Sequence, residues 1–174
     1  MFKSSRKNHE LTLLVLIATI FGILDGIIPK PVPFMKLGLA NIVSVIAIVR
    51  FGLLTTIELN LLRVFAVALV TGMLTTPTFL LSLAGAFFSA LAMGLAYKLK
   101  PSMFSVVGLS VIGAVSSLWI QLLVAGYILE GLALNNFVLL VTGWAVFSGC
   151  LVGISATKIM QKKLITRVLL IGAL

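Results

Sequence analysis

Acidic side chains are nearly absent from this chain. Its 174 residues include one Asp and three Glu, against 13 Lys and Arg. Magnesium chemistry on diphosphates needs several oxygen ligands close together, usually carboxylates. A single Asp excludes an aspartate-rich site of that kind. The sequence therefore predicts no bound metal and no cofactor.

Histidine and cysteine are equally scarce. His9 is the one His and lies near the N-terminus, and Cys150 stands alone inside an apolar run. No nucleophile–base pair is evident, no P-loop is present, and a lone Cys forms no internal disulfide. We predict a protein that is not an enzyme and that cannot itself hydrolyse ATP.

Apolar side chains are what the chain has in abundance. Hydrophobic residues make up 61% of it, charged residues only 10%, and the mean hydropathy is +1.26. Soluble domains carry about a quarter charged residues. A single soluble core of this length could not hide so much apolar surface. The sequence therefore predicts a multi-pass protein embedded in the lipid bilayer of the cell membrane.

The apolar residues fall into six runs, which predict six transmembrane helices. About 20 apolar residues cross a bilayer as a helix, and these runs are too continuous for the strands of a barrel. The fold class is all-α, with one transmembrane domain over residues 11–158, a tail at 1–10 and a basic segment at 159–174. The runs are 11–28, a short one at 37–52, 56–75, 77–97, 102–128 and 136–158.

Two helix starts carry local signals. Thr55 with Glu58 three residues later forms a candidate capping box. Thr76 and Pro77 form a cap and first-turn pair.

The basic residues predict which way the helices run. With the N-terminus inside, ten Lys and Arg lie at cytoplasmic ends and two at outer ends, so the positive-inside rule places both termini in the cytoplasm. Basic residues that lie between apolar runs do not form a nucleic-acid surface, despite the net charge of +9. The inner set is Lys3, Arg6, Lys7, Arg50, Lys98, Lys100, Lys158, Lys162, Lys163 and Arg167; the outer set is Lys30 and Lys36.

The first outer loop, residues 29–36, contains the run "PKPVP", which cannot be helical because proline lacks the amide donor and restricts its predecessor. Polar side chains concentrate on the same outer side, which predicts a pocket that opens outward beneath this loop. The candidate binding residues are Asp25, Asn41, Trp119 and Gln121. Other outer polar residues are Thr71, Thr75, Thr78, Ser82, Tyr127, Glu130, Asn135 and Asn136.

Each candidate also has a purely structural interpretation. Asp25 could pair with Lys30 or Lys36 at the interface. Asn41 could cap the second helix or bond a neighbouring helix. Gln121 should face the bundle interior, towards either a ligand or another helix. Both Trp119 and Trp144 could be interfacial or packing aromatics, and Trp144 fits that interpretation better.

Arg63 is the one charge in the middle of a span, where charge is costly and usually functional. It lies roughly 10 Å from the cytoplasmic end of its helix. A long side chain can reach part of that distance. We interpret Arg63 as an inner-side residue that pairs with Glu58, a lipid or a partner.

Small residues line one face of the first helix at Ala18, Gly22 and Gly26, with similar stripes in the fourth and sixth. Such stripes let helices approach closely in lipid. Packing within the bundle explains them, and the first stripe could instead receive another membrane subunit.

The chain resembles a known bacterial family in three stretches. They are "LDGIIPKPVPFMKLGLANIV" (24–43), "LLRV" (61–64) and "LSLAGAFFSALAM" (81–93). The family is labelled heptaprenyl diphosphate synthase component I and is also called the Gx transporters. It is similar in size and helix number to the substrate-binding S components of energy-coupling factor (ECF) transporters.

That resemblance implies a function. The outward pocket would take up a small nutrient or vitamin-like molecule. Ala18, Gly22 and Gly26 would meet a transmembrane coupling subunit driven by ATPase subunits, and Lys36 and Asn41 would belong to the gate and pocket. The alternative is a non-catalytic membrane subunit that handles a prenyl or quinone lipid beside a polyprenyl diphosphate synthase.

Overall fold

The computed structural model describes residues 2–28, 37–99, 103–128 and 135–161. Within these ranges all regular secondary structure is helical, as the sequence predicts. The helices are α1 (Phe2–Ile27), α2 (Leu39–Phe51), α3 (Leu53–Thr71), α4 (Pro77–Leu99), α5 (Val106–Ile128) and α6 (Asn135–Gln161).

Two helix starts differ from the predicted ones. Helix α1 is already helical at Phe2, within the segment predicted as a tail. Helix α3 begins at Leu53 after Gly52, so Thr55 lies inside the helix and the predicted capping box is wrong. The reason is that Gly52 has φ of 81°, a conformation that favours glycine and ends α2 there. Pro77 does open α4, where its missing amide costs nothing.

Helix α2 is much shorter than the others. The other five helices are long and apolar enough to cross a membrane. The 13 residues of α2 extend about 20 Å, against a hydrocarbon core of about 30 Å. On its own, the described helix α2 falls short of the full depth of a bilayer.

This short helix lies at the centre of the bundle. It packs against all five other helices, while α3, α4, α5 and α6 follow one another around it and α1 packs against α2 and α3. All the side chains from Ile42 to Ile48 are buried. Since α2 is apolar and enclosed, it acts as the core of the bundle over the part of the depth that it occupies.

The half of the bundle around the C-terminal end of α2 is solid. Its largest cluster of buried residues joins α2 to Met93 of α4, Leu109 of α5 and Val152 of α6. Ala90 and Gly94 on α4 are buried, which assigns the stripe on α4 to packing within the bundle.

Glycines also bring α5 and α6 into direct backbone contact. A Cβ atom added at Gly153 would lie 2.5 Å from the Cα atom of Val107, and one at Gly149 would lie 2.8 Å from the Cα atom of Val111. Neither Cα atom can move without shifting α5. The stripe on α6 is therefore a packing face.

Gly153→Ala should destabilise the protein by about 1–3 kcal/mol, because α5 must move to admit the methyl group. Gly143→Ala on the same helix is the control, since nothing lies within 4 Å of its added Cβ atom. Thermal unfolding of both variants in detergent measures the difference. Equal stability of the two variants would show that the α5–α6 contact is not tight.

Candidate functional site

A partly open cavity of about 450 Å³ occupies the other half of the bundle. All six helices contribute to its wall: the C-terminal parts of α1 and α3, the middle of α5 and the N-terminal parts of α2, α4 and α6. This is the end that the charge pattern places outside the cell. The volume lies within the range of small-molecule sites, about 300–1,000 Å³. A cavity is therefore present at the end of the bundle that the charge pattern predicts to face outward, and its opening to the outside stays a prediction.

Asp25 fixes the point where α2 begins. Its side chain is only 6% exposed, and its two oxygens accept hydrogen bonds from the backbone amides of Leu37 (3.0 Å) and Gly38 (3.2 Å). Amides before the first turn of a helix have no partner within the helix. A carboxylate there also faces the positive end of the helix dipole. Asp25 lines the cavity, but its first role is to anchor α2 to α1.

Asn41 lies beside this anchor. Gly38 adopts the left-handed conformation with φ of 72°, and the amide of Asn41 donates to the Gly38 carbonyl at 2.8 Å. The side chain of Asn41 is half-buried and lines the cavity. Asn41 therefore borders the cavity, and its contact with a ligand stays a prediction.

A buried polar network closes the cavity below. The hydroxyl of Ser44 on α2 donates to Oδ1 of Asn60 on α3 at 2.5 Å. Nδ2 of Asn60 donates to the carbonyl of Ala86 on α4 at 3.0 Å, and Ala86 lines the cavity. Three helices are tied together beneath the cavity through Asn60, a residue not among the predicted site residues. Its signal was an amide inside an apolar run, the same signal that singled out Gln121.

Gln121 forms part of the opposite wall. It is buried, and its Nε2 donates to the Ser117 hydroxyl (2.9 Å) and the Ser117 carbonyl (3.1 Å). Room for this pair comes from Gly85 on α4, where an added Cβ atom would lie 2.6 Å from Nε2 of Gln121. The prediction that Gln121 faces the bundle interior is confirmed.

Arg63 requires a correction. It lies in the cavity wall with Asp25, which acts on it electrostatically, whereas Glu58 is exposed. The described structure shows no pairing of Arg63 with Glu58, because Arg63 borders the cavity between the helices; a lipid or a partner as its counterpart stays a prediction. The Nε of Arg63 is buried and has no hydrogen-bond acceptor in the described parts of the chain.

The sequence favours Trp119 as a binding residue and Trp144 as an interfacial or packing aromatic, and the structure shows the reverse placement. Trp119 is 45% exposed and lies outside the cavity wall, while Trp144 lies in it. Trp119 is two residues from both Ser117 and Gln121, about 200° around the helix, so the structure does not bring it to the site. Trp144 has Ser148 one turn further along α6, also in the wall.

Other predicted site residues are distributed as follows. Thr71, Thr78 and Ser82 line the cavity. Lys36 and Glu130 lie outside the described residues. Ser117 and Ser148 were missed, although each stands four residues from a larger polar or aromatic residue, a spacing that places both on one helix face.

The stripe on α1 faces its own bundle at two of three positions. Ala18 is fully buried, and a Cβ atom at Gly22 would lie 2.9 Å from Cγ2 of Val67 on α3. Gly26 is exposed and borders the cavity. Packing within the bundle accounts for Ala18 and Gly22, and the partner interface stays a prediction.

These features define a class: a helical membrane protein with a cavity in one half of the bundle, whose wall joins apolar surface with a few polar groups. Residues 14–159 match the family model described as heptaprenyl diphosphate synthase component I, and the chain belongs to that family. No curated protein and no solved structure gives a significant match. Within the described residues, no three His, Cys, Asp or Glu side chains group together as a metal site.

Asp25→Asn should loosen the start of α2. An amide can accept only through its one oxygen, so one of the two backbone amides loses its acceptor, at a cost of about 1.5–3 kcal/mol. Hydrogen exchange of the Leu37 and Gly38 amides should accelerate, and the unfolding temperature should fall.

Glu58→Gln is the control for this change, because it removes the same charge from an exposed carboxylate. Unchanged exchange at Leu37 and Gly38 in Asp25→Asn would contradict the anchoring role.

Proposed function

We propose that this protein is the substrate-binding membrane subunit of an ECF-type transporter, similar to an S component. It takes up a small nutrient or vitamin-like molecule from outside the cell, with energy from ATPase subunits through a transmembrane coupling subunit. The observation that carries this proposal is the cavity of about 450 Å³ at the predicted outer end of the bundle. Its wall joins apolar surface with a few polar groups, the usual composition of a small-molecule site.

The chemistry of the wall supports binding over catalysis. Apart from Asp25 and Arg63, the polar side chains in it are neutral hydroxyls, amides and an indole. The Asp25 oxygens are already engaged by backbone amides. A general acid or base must reach the proton it transfers, and the described wall contains no free carboxylate or imidazole for that task.

Two features support dependence on a partner. The sequence has no P-loop, and the inner half of the bundle is filled by buried apolar side chains. In the described structure this apolar packing separates a ligand in the cavity from the other end of the bundle. An external source of energy is consistent with that separation.

The alternative function is a non-catalytic subunit that handles a prenyl or quinone lipid, which the family description favours. The cavity volume counts against it, because a heptaprenyl chain is far longer than a drug-sized ligand and sites of this size enclose the latter. Affinity purification from native membranes distinguishes the two. Recovery of ATPase subunits supports the transporter, and recovery of a soluble prenyl synthase without them supports the alternative.

Asn41→Ala and Lys36→Ala should each weaken ligand binding. Loss of one hydrogen bond to a ligand costs about 0.5–1.5 kcal/mol, and about 1.5–3 kcal/mol where a charge takes part. Binding of a panel of vitamins and their precursors to the purified protein, followed by calorimetry, measures the change.

Gln161→Ala at the exposed end of α6 is the control and should bind as the unchanged protein does. Equal affinities in all four proteins would remove Asn41 and Lys36 from the site.

A further inference from the structure

We infer that the ligand carries an anionic oxygen group, a carboxylate or a phosphate, which enters the cavity first and binds the guanidinium of Arg63. An apolar body follows and fills the space nearer the mouth. This inference rests on the proposed function, because it names the chemical class of the molecule that the cavity holds.

The first support is an unsatisfied cation. Arg63 lines the cavity, its Nε is buried without an acceptor, and no ion pair to it occurs within the described residues. Guanidinium presents five N–H donors in a planar fork that fits carboxylate and phosphate. Buried donors without acceptors are unfavourable, and a ligand oxyanion would supply the acceptors that the described protein lacks.

Asp25 does not fulfil this role. It is close enough to act on Arg63 through space, but its oxygens hold the amides of Leu37 and Gly38. Those amides and the positive end of the α2 dipole stabilise the Asp25 carboxylate where it is, and no hydrogen bond joins it to Arg63 within the described residues. The Nε–H of Arg63 therefore still lacks an acceptor, which an anionic ligand oxygen can supply and a cation cannot.

The direction of entry follows from the position of Arg63 along α3. The cavity follows α3 from Arg63 to Thr71, eight residues or about 12 Å. Arg63 lies one turn above Asn60, which closes the cavity below. Ile27, Met73 and Phe79 line the part nearer the mouth. A charged group at Arg63 thus leaves a mainly apolar wall, with a few hydroxyl and amide groups, for the remainder of the molecule.

The test uses matched pairs of compounds on the purified full chain in detergent. Each pair joins a small aromatic or aliphatic carboxylate to its amide, or a phosphate monoester to its alcohol. At least one acid should raise the unfolding temperature while its neutral partner does not, and the pairs show whether carboxylate or phosphate is preferred. Arg63→Gln should lower the affinity for that acid about 10–100-fold, and Arg63→Lys should lower it less.

Arg50→Gln is the matched control, because Arg50 is exposed at the far end of α2, and it should bind the acid unchanged. If Arg63→Gln fails to fold, two measurements still test the inference. They are the comparison of each acid with its neutral partner on the wild-type protein and the affinity of Arg63→Lys for the acid.

Neutral or cationic compounds that bind as tightly as the acids would overturn this inference and leave the proposed function standing. Retention of acid binding by Arg63→Gln would do the same. If no compound of any charge binds, the proposed function fails, and the inference falls with it.

Discussion

The hydrogen bonds between Asp25 and the start of α2 set the geometry of the whole bundle. A carboxylate is costly to bury unless partners surround it. Here the backbone amides of Leu37 and Gly38 are those partners, and the same amides would otherwise lack acceptors at the beginning of a helix. The amides therefore offset the cost of burying the carboxylate, and the carboxylate supplies the acceptors that the amides would otherwise lack. The pairing fixes α2 to α1 below the end of the bundle, and so fixes the depth at which the central helix stops.

That depth divides the bundle into two halves. Where α2 is present, it touches all five neighbours and the interior is closed by apolar side chains such as Ile48 and Met93. Beyond Gly38 there is no central helix in the described structure, and the space between the other helices becomes the cavity. Polar groups can line it because a cavity admits water, which satisfies them as lipid would not. One short helix thus accounts for both the core and the candidate site.

The sequence predicted positions along the helices better than positions around them. Apolar run lengths placed α4 and α5 nearly correctly, and polar residues such as Asn41 and Gln121 marked the correct end. The rotation of each helix about its own axis was harder to predict. Both the lipid-facing and the inward-facing sides of a span are apolar, so no polar face reveals the orientation. Trp119 and Trp144 were exchanged for that reason. The expectation that Arg63 pairs with Glu58 used the depth of Arg63 without the direction of its side chain.

Under the proposed function, the two halves also explain why a partner is needed. A ligand beside Arg63 lies directly above the network that joins Ser44, Asn60 and the Ala86 carbonyl. Passage through the centre would break those bonds and displace α2 from every helix that it contacts, which is far more than a side-chain rotation. Close-packed protein interiors resist such displacement. Release towards the cytoplasm then requires a larger rearrangement than binding does, so a protein built this way can capture a ligand alone but needs external work to deliver it.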